Sequence, residues 1–196
     1  AFRKLPIVEL FTAWQAAKKE GKNSMSANGP VQDGVFICKP ATEVVAAGEQ
    51  RYIPYLIGMT SQDMMPPILY KMAGDWCRTQ AAQNGPASYE WFFDRQLPGD
   101  DCGAWHSSDL WYWFGTLDHC WRPFTAQDKV LSAQMVSYLT NFAKHGDPNG
   151  TDVPVWLPID ATQHKVLRLG EQPARMGSAS MPKLVWTMLT NKAVGE

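Results

Sequence analysis

Three stretches of this sequence predict an α/β fold with a mostly parallel sheet flanked by helices. Residues 52–57 (YIPYLI) and 88–93 (SYEWFF) are short, nearly unbroken apolar and aromatic runs, as expected of strands covered on both faces. Between them, residues 66–83 carry apolar side chains at Ile68, Leu69, Met72 and Trp76, the spacing of a helix face. A second helical pattern follows over residues 125–146. Strands separated by helices of this length pair in parallel and bring their carboxyl ends to one rim.

Taken in order, residues 7–20 place Val8, Phe11, Trp14 and Ala17 on one helical face, with Lys18 and Lys19 near the end and Gly21 as a stop. Residues 22–34 are polar and rich in turn formers, with Gly29, Pro30 and Gly34 fixing a bent path around a short extended piece. A short helix is expected over residues 42–47 before the first strand, where Pro54 argues against a central position without removing the strand. The segment GMTSQDM then sets Asp63 just past the strand's carboxyl end. Two readings stand for it: Thr60, Ser61 and Asp63 cap the next helix, or Asp63 is one of the polar groups that collect at such a rim. The bare residue pattern favours the cap.

After the second strand, the loop DRQLPGDDCGAW delivers His106 to an analogous position, with Ser107 or Ser108 available to cap a short aromatic helix. His106 reads either as a structural histidine or as a proton shuttle, and no metal-ligand spacing surrounds it. Thr125 and Asp128 make a capping box, Val130, Leu131, Met135, Val136, Leu139 and Phe142 continue at helical spacing, and Gly146 ends the helix. Val166, Leu167 and Leu169 form a short strand, read as an edge, MGSAS at residues 176–180 reads as a polar loop, and residues 182–192 form an amphipathic closing helix.

Composition bounds the function. With 196 residues, 45% of them hydrophobic, the chain has material for one substantial core. A formal charge of −1 supplies no basic field for a phosphate backbone, so nucleic acid is not an expected partner. No stretch is apolar enough for a membrane span, and the charged start AFRKLPIVEL lacks the apolar run of a signal peptide. The first residue is Ala1 rather than Met, which reads as a piece of something longer. Nine Trp, eight Phe and six Tyr fit a generous core or an aromatic pocket. Cys38, Cys77, Cys102 and Cys120 never form a CxxC pair, which gives no support to a structural zinc site or a thioredoxin-like motif and leaves open both free thiols and a bridge such as Cys102 with Cys120. They leave the compartment undetermined, with a cytoplasmic location favoured.

From residues alone there is an acid and a histidine in matching contexts, and no nucleophile. GxSxG is absent, and the serines at residues 176–180 follow the histidine instead of preceding it. Several spaced motifs nevertheless resemble the type B carboxylesterases. FRKLPIVEL is similar to a helix downstream of that family's nucleophile, and GPVQDG at residues 29–34 to its P-V-x-D-G turn. YIPYLIGMTSQDM at residues 52–64 resembles P-x-L-I-G-x-x-x-x-[DE], and GAWHSSDLWYWFGTL at residues 103–117 resembles G-A-x-H-x-x-[DE]-L-x-[YF]-x-F-G. NFAKHGDPNG followed by VPVW resembles F-A-x-x-G-D-P-N with its downstream Trp.

The resemblance implies that residues 1–196 are one C-terminal segment of an α/β-hydrolase domain, lacking the N-terminal strands and the nucleophile elbow. It puts the triad acid on Asp63 and the triad histidine on His106. It makes Asp109 a supporting acid, although a helix-terminal charge is an equal reading. Met64, Trp105 and the Trp111–Trp113 cluster are candidates for an ester pocket, with core packing as the alternative. Asp63 is followed by Met64 where many members have Glu then Gly. No cofactor or metal is implied. The expected partners are a small carboxylic ester and an N-terminal half carrying the serine, in the same longer chain or a separate one. An exposed strand edge would favour a homo-oligomer. The competing readings are a non-catalytic interaction module on the same scaffold and an aromatic carbohydrate-binding module, which would be all-β.

Overall fold

The computed structural model describes residues 4–19, 31–170 and 173–190. Gly21, Gly29 and Pro30, most of the polar stretch 22–34 and the last residues of the expected closing helix lie outside them. The chain falls into two compact units, Ala1–Gln50 and Arg51–Glu196.

The first unit holds helix α1, Ile7–Lys19, as the apolar spacing predicts, and helix α2, Ala41–Ala46, one residue ahead of the span expected for it. The turn between them is organised by Asp33, whose Oδ1 accepts from the backbone N–H groups of Val35, Phe36 and Ile37 at 2.9, 2.8 and 3.1 Å. The apolar stripe of α1 is exposed at Ile7, Val8 and Phe11.

The second unit is a four-stranded sheet in the order β1-β2-β3-β4, with β1 Tyr55–Thr60, β2 Ser88–Phe93, β3 Val166–Leu169 and β4 Arg175–Gly177. The first three strands run parallel and β4 is antiparallel to β3. The expected mostly parallel sheet is therefore present, with three corrections. The first strand starts at Tyr55 rather than Tyr52, because Pro54 has no N–H to enter the ladder and Tyr55 is the first to pair, its N–H reaching Ala87 O at 3.3 Å. β3 is an interior strand, and Val166, Leu167 and Leu169 are fully buried. The edge on that side is β4, which occupies the start of the segment expected to be a loop.

Helices cover both faces. Helix α3, Pro66–Ala82, and helix α6, Met181–Thr190, pack on one side, where Met59, Phe92 and Val166 meet Tyr70, Cys77 and Leu184. Helix α4, Leu110–Trp113, and helix α5, Ala126–His145, lie on the other, where Tyr89, Phe93 and Leu167 meet Tyr112, Leu131 and Met135. This alternation along β2 is the period of two that sends successive side chains to opposite faces.

Helix α5 begins with the expected capping box: Thr125 Oγ1 accepts from Asp128 N at 3.4 Å, and Asp128 Oδ2 accepts from Thr125 N at 2.8 Å. It ends at Gly146 in the left-handed conformation. The GDPN turn is tied to the downstream tryptophan, since Asn149 Oδ1 accepts from Trp156 N at 2.7 Å and Asn149 Nδ2 donates to Trp156 O at 2.9 Å. Trp156 itself is fully buried against Tyr89 and Tyr138. The four cysteines are free. Among the described residues no helix is long and apolar enough to cross a membrane.

One contact ties β1 to β2 more closely than the ladder requires. A Cβ at Gly58 would lie 2.3 Å from both the indole and the carbonyl oxygen of Trp91, its register partner. The Trp91 ring therefore lies across the backbone of β1, and only glycine leaves it that space.

Candidate active site

The parallel pairing of β1 and β2 continues past the ends of both strands. Ser61 N donates to Phe93 O at 2.8 Å, Gln62 N to Ala104 O at 3.0 Å, and Gln62 forms an isolated parallel bridge with Trp105. The next residue on each arm is Asp63 on one and His106 on the other, so the backbone register itself sets them side by side.

Asp63 Oδ1 lies 2.8 Å from His106 Nδ1 and also accepts from Met64 N at 2.8 Å, while Oδ2 accepts from Thr60 Oγ1 at 3.3 Å. Its partners hold the carboxylate in one orientation. The side chain of Asp63 is 8% exposed and that of His106 is 61% exposed. With Nδ1 facing a carboxylate, the ring proton belongs on Nδ1, and Nε2 carries the lone pair. Among the described residues Nε2 has no hydrogen-bond partner. The arrangement is an oriented imidazole with an open basic nitrogen, which can take up and return a proton.

The capping readings fail at both loops. Helix α3 has Met65 at its N-cap with no side-chain bond, and α4 has Asp109 there, also without one. Asp63 is spent on His106 and Met64. Ser107 takes a positive φ of 70°, a sparsely populated conformation for a serine, immediately beyond the histidine. Ser108 is buried and its hydroxyl has no partner among the described residues. Gly103, at φ 69°, makes the matching turn on the other side, a left-handed conformation that favours glycine, with the Gln62 side-chain amide packed against it.

Asp109 stands at the N-terminal end of α4 and is buried there. Its Oδ2 accepts from Trp113 Nε1 at 3.0 Å and from Trp91 Nε1 at 3.3 Å. Burial pushes its carboxyl above the ordinary range, the two indole bonds oppose that, and the nearby charge of Asp63 adds to the upward shift. Trp105 is half-buried and meets Trp111 edge to face at 5.7 Å. Met64 is 75% exposed, so it is not part of the core. Trp113 is buried and Trp111 packs against the same core.

Sequence reasoning missed a second carboxylate–histidine pair: His164 Nε2 lies 2.7 Å from Oε2 of the fully buried Glu90, and the His164 ring stacks on Tyr70 with centroids 4.2 Å apart. The signal was a lone acid inside an aromatic strand, which such a run excludes unless it is partnered. Among the described residues no group of three or more His, Cys, Asp or Glu side chains is placed to hold a metal ion.

Comparison with known proteins bears on this site. The sequence model described as the carboxylesterase family matches residues 77–184. The chain belongs to the carboxylesterase family. His106 and Asp109 fall inside the matched span and Asp63 lies ahead of it. Among curated carboxylesterase relatives, bile salt-activated lipase of Homo sapiens is 36% identical over 88 residues, covering 43% of this chain and 11% of the lipase. The Rattus norvegicus lipase of that name is 46% identical over 73 residues, covering 36% of this chain and 12% of the lipase. Acylcarnitine hydrolase of Rattus norvegicus is 43% identical over 51 residues, covering 26% and 9%. Each match thus spans about a tenth of the relative's own length. A solved esterase from Clostridium hathewayi, described as able to hydrolyse aliphatic aromatic polyesters, superposes with a TM-score of 0.50 at 20% identity, over 62% of this chain and 24% of that one. At that identity the likeness speaks for the fold, an α/β-hydrolase sheet.

Proposed function

We propose that this chain supplies the acid and base of a serine carboxylic-ester hydrolase. Asp63 is the acid that orients and stabilises the imidazole, and His106 is the general base. The observation that carries this reading is the 2.8 Å contact between Asp63 and His106 Nδ1, in a carboxylesterase-family chain, with Nε2 left open at the surface. In the reaction, Nε2 takes the proton of a serine hydroxyl as that oxygen attacks the ester carbonyl. It then returns the proton to the departing alcohol, and water repeats the cycle to release the acid. Asp109 positions the loop through its two indole partners, and Trp105 and Met64 border the site that receives the ester.

Residues 1–196 act in this reading as the C-terminal segment of one hydrolase domain. The serine and the amides that stabilise the oxyanion come from polypeptide outside these residues, in the same gene product or a bound partner. Without them the chain alone is inactive, because loss of the nucleophile lowers turnover by about a millionfold in a serine hydrolase.

The test is to label an extract of the native source with a fluorophosphonate probe, purify under native conditions the species containing these peptides, and map the labelled residue and the intact mass. A labelled serine in a longer chain or a tightly held partner supports the reading. A native chain beginning near Ala1, with no partner and no labelled serine, overturns it in favour of a non-catalytic interaction module.

A further inference from the structure

Of the four thiols, Cys38 belongs to the first unit and Cys77 is fully buried on the inner face of α3. Cys102 is exposed and Cys120 half-buried, and each is a free thiol. Neither lies in a helix or strand. Cys102 stands four residues ahead of His106, at the base of the loop that carries it.

The segments holding these two cysteines cross at Arg122. Its Nη1 donates to Pro98 O at 2.9 Å and its Nη2 to Asp100 Oδ2 at 2.6 Å. Between those two acceptors Gly99 packs on Trp121 and Pro123, where a Cβ would come within 3.0 Å of the indole and 3.2 Å of the proline ring. Cys102 is two residues past Asp100 and Cys120 two residues before Arg122, so each Cα lies within about 7 Å of chain from the crossing. Asp100 draws Cys102 toward it, since Oδ1 accepts from the Cys102 amide at 3.1 Å and the thiol is within hydrogen-bonding reach of the same carboxylate. The hydrogen bond to Asp100 raises the Arg122 guanidinium above its ordinary value, burial opposes that, and Cys120 and Cys102 both add to the rise. Both sulfurs therefore lie within electrostatic range of one guanidinium. A disulfide needs Cα atoms about 4–7 Å apart, a separation that two irregular segments crossing here can reach by a small backbone shift.

We propose that Cys102 and Cys120 are a redox modification site, oxidised by a small-molecule disulfide to a bridge that staples the base of the His106 loop to the segment after α4. With oxidised glutathione, the exposed Cys102 sulfur attacks one sulfur of the reagent, breaking its S–S bond and releasing one glutathione thiol. Cys120 then attacks the Cys102 sulfur of the mixed disulfide and releases the second. Two protein thiols give up two electrons and two protons, and one glutathione disulfide becomes two thiols. The bridge closes a ring that contains His106, Asp109 and α4. Its formation does not depend on ester hydrolysis.

The test is to equilibrate the intact gene product in buffers of rising oxidised-to-reduced glutathione ratio, quench with acid, alkylate and map the peptides by mass spectrometry without reduction. A Cys102–Cys120 linked peptide is expected, reversed by dithiothreitol, with Cys77 left as a thiol. Amide hydrogen exchange over residues 103–109 is expected to be about tenfold slower in the oxidised form, because the bridge removes open states of the loop. Cys120→Ser is expected to stop at the mixed disulfide on Cys102 and to exchange as the reduced protein does. Circular dichroism checks that this variant is folded. The proposal is overturned by separate glutathione adducts on Cys102 and Cys120 at full oxidation, by a Cys102 bridge between two chains, or by an internal bridge that leaves exchange over 103–109 unchanged.

Discussion

At the scale of single residues, the proposed roles give Asp63 the orientation and His106 the proton transfer. In the intact gene product, Asp63→Asn is expected to lower kcat on a p-nitrophenyl ester by about four orders of magnitude, the loss seen when such an acid is amidated in a serine protease. Steady-state kinetics on folded protein decide the matter, and a loss under tenfold would remove Asp63 from the role. Asp109→Ala should behave differently. It strands two buried indole N–H groups, costing about 1–3 kcal/mol in urea unfolding. Asp109→Asn keeps an acceptor and should recover most of that. The pH dependence of stability follows from two other acids. Burial alone would raise Asp128, but Arg95, Tyr112 and Thr125 overcome it and hold its carboxyl far below the usual range. The Arg122 guanidinium holds Asp100 at about 2. Both folded values are depressed, so their stabilisation is complete above the unfolded carboxylate value of about 4 and is lost as pH falls below it. Urea midpoints measured from pH 6 to pH 2 should stay level at first and then drop between about 4 and 2. The Asp128→Asn variant should show a shallower drop.

At the scale of elements, helix α5 is where local sequence and tertiary structure agree most closely, and its cap also anchors the core through the bond from Tyr112 to Asp128. Thr125→Val should cost about 1–2 kcal/mol by chemical denaturation, the range of a lost N-cap. Asp128→Ala should cost about 3 kcal/mol, because it also removes the carboxylate from the buried Arg95 guanidinium. α5, α3 and β2 were legible in the sequence because each carries its own period, cap or composition. β4 was not, since three residues with a glycine hold no pattern and become a strand only by pairing with β3. β3 was misplaced to an edge for the same reason. The serines after His106 read as caps because capping is the commonest use of that residue type, whereas the tight Gly103 and Ser107 turns override it.

At the scale of the whole molecule, the outer edge of β1 has no partner strand among the described residues, and its backbone groups form a template for another strand. Prepared alone, the chain should therefore self-associate, with a weight-average mass in sedimentation that rises across the micromolar range; a concentration-independent monomer would count against an open edge. The site itself was legible in part. That strand ends collect polar groups pointed to Asp63 and His106, and the resemblance to carboxylesterases implied the roles proposed for them, whereas their hydrogen bond follows from a register that only the sheet fixes.

The indole of Trp91 reaches two ways: its ring fills the space above Gly58, and its N–H holds Asp109 behind the histidine loop. Neither arm of the site can then be exchanged alone with that of a relative. A chimera that imports residues 51–64 with an alanine or larger at position 58 would tilt Trp91 and disturb the foreign loop above it. Recombination among carboxylesterases should preserve function only when crossovers fall outside residues 51–113, so that both arms are inherited as one block.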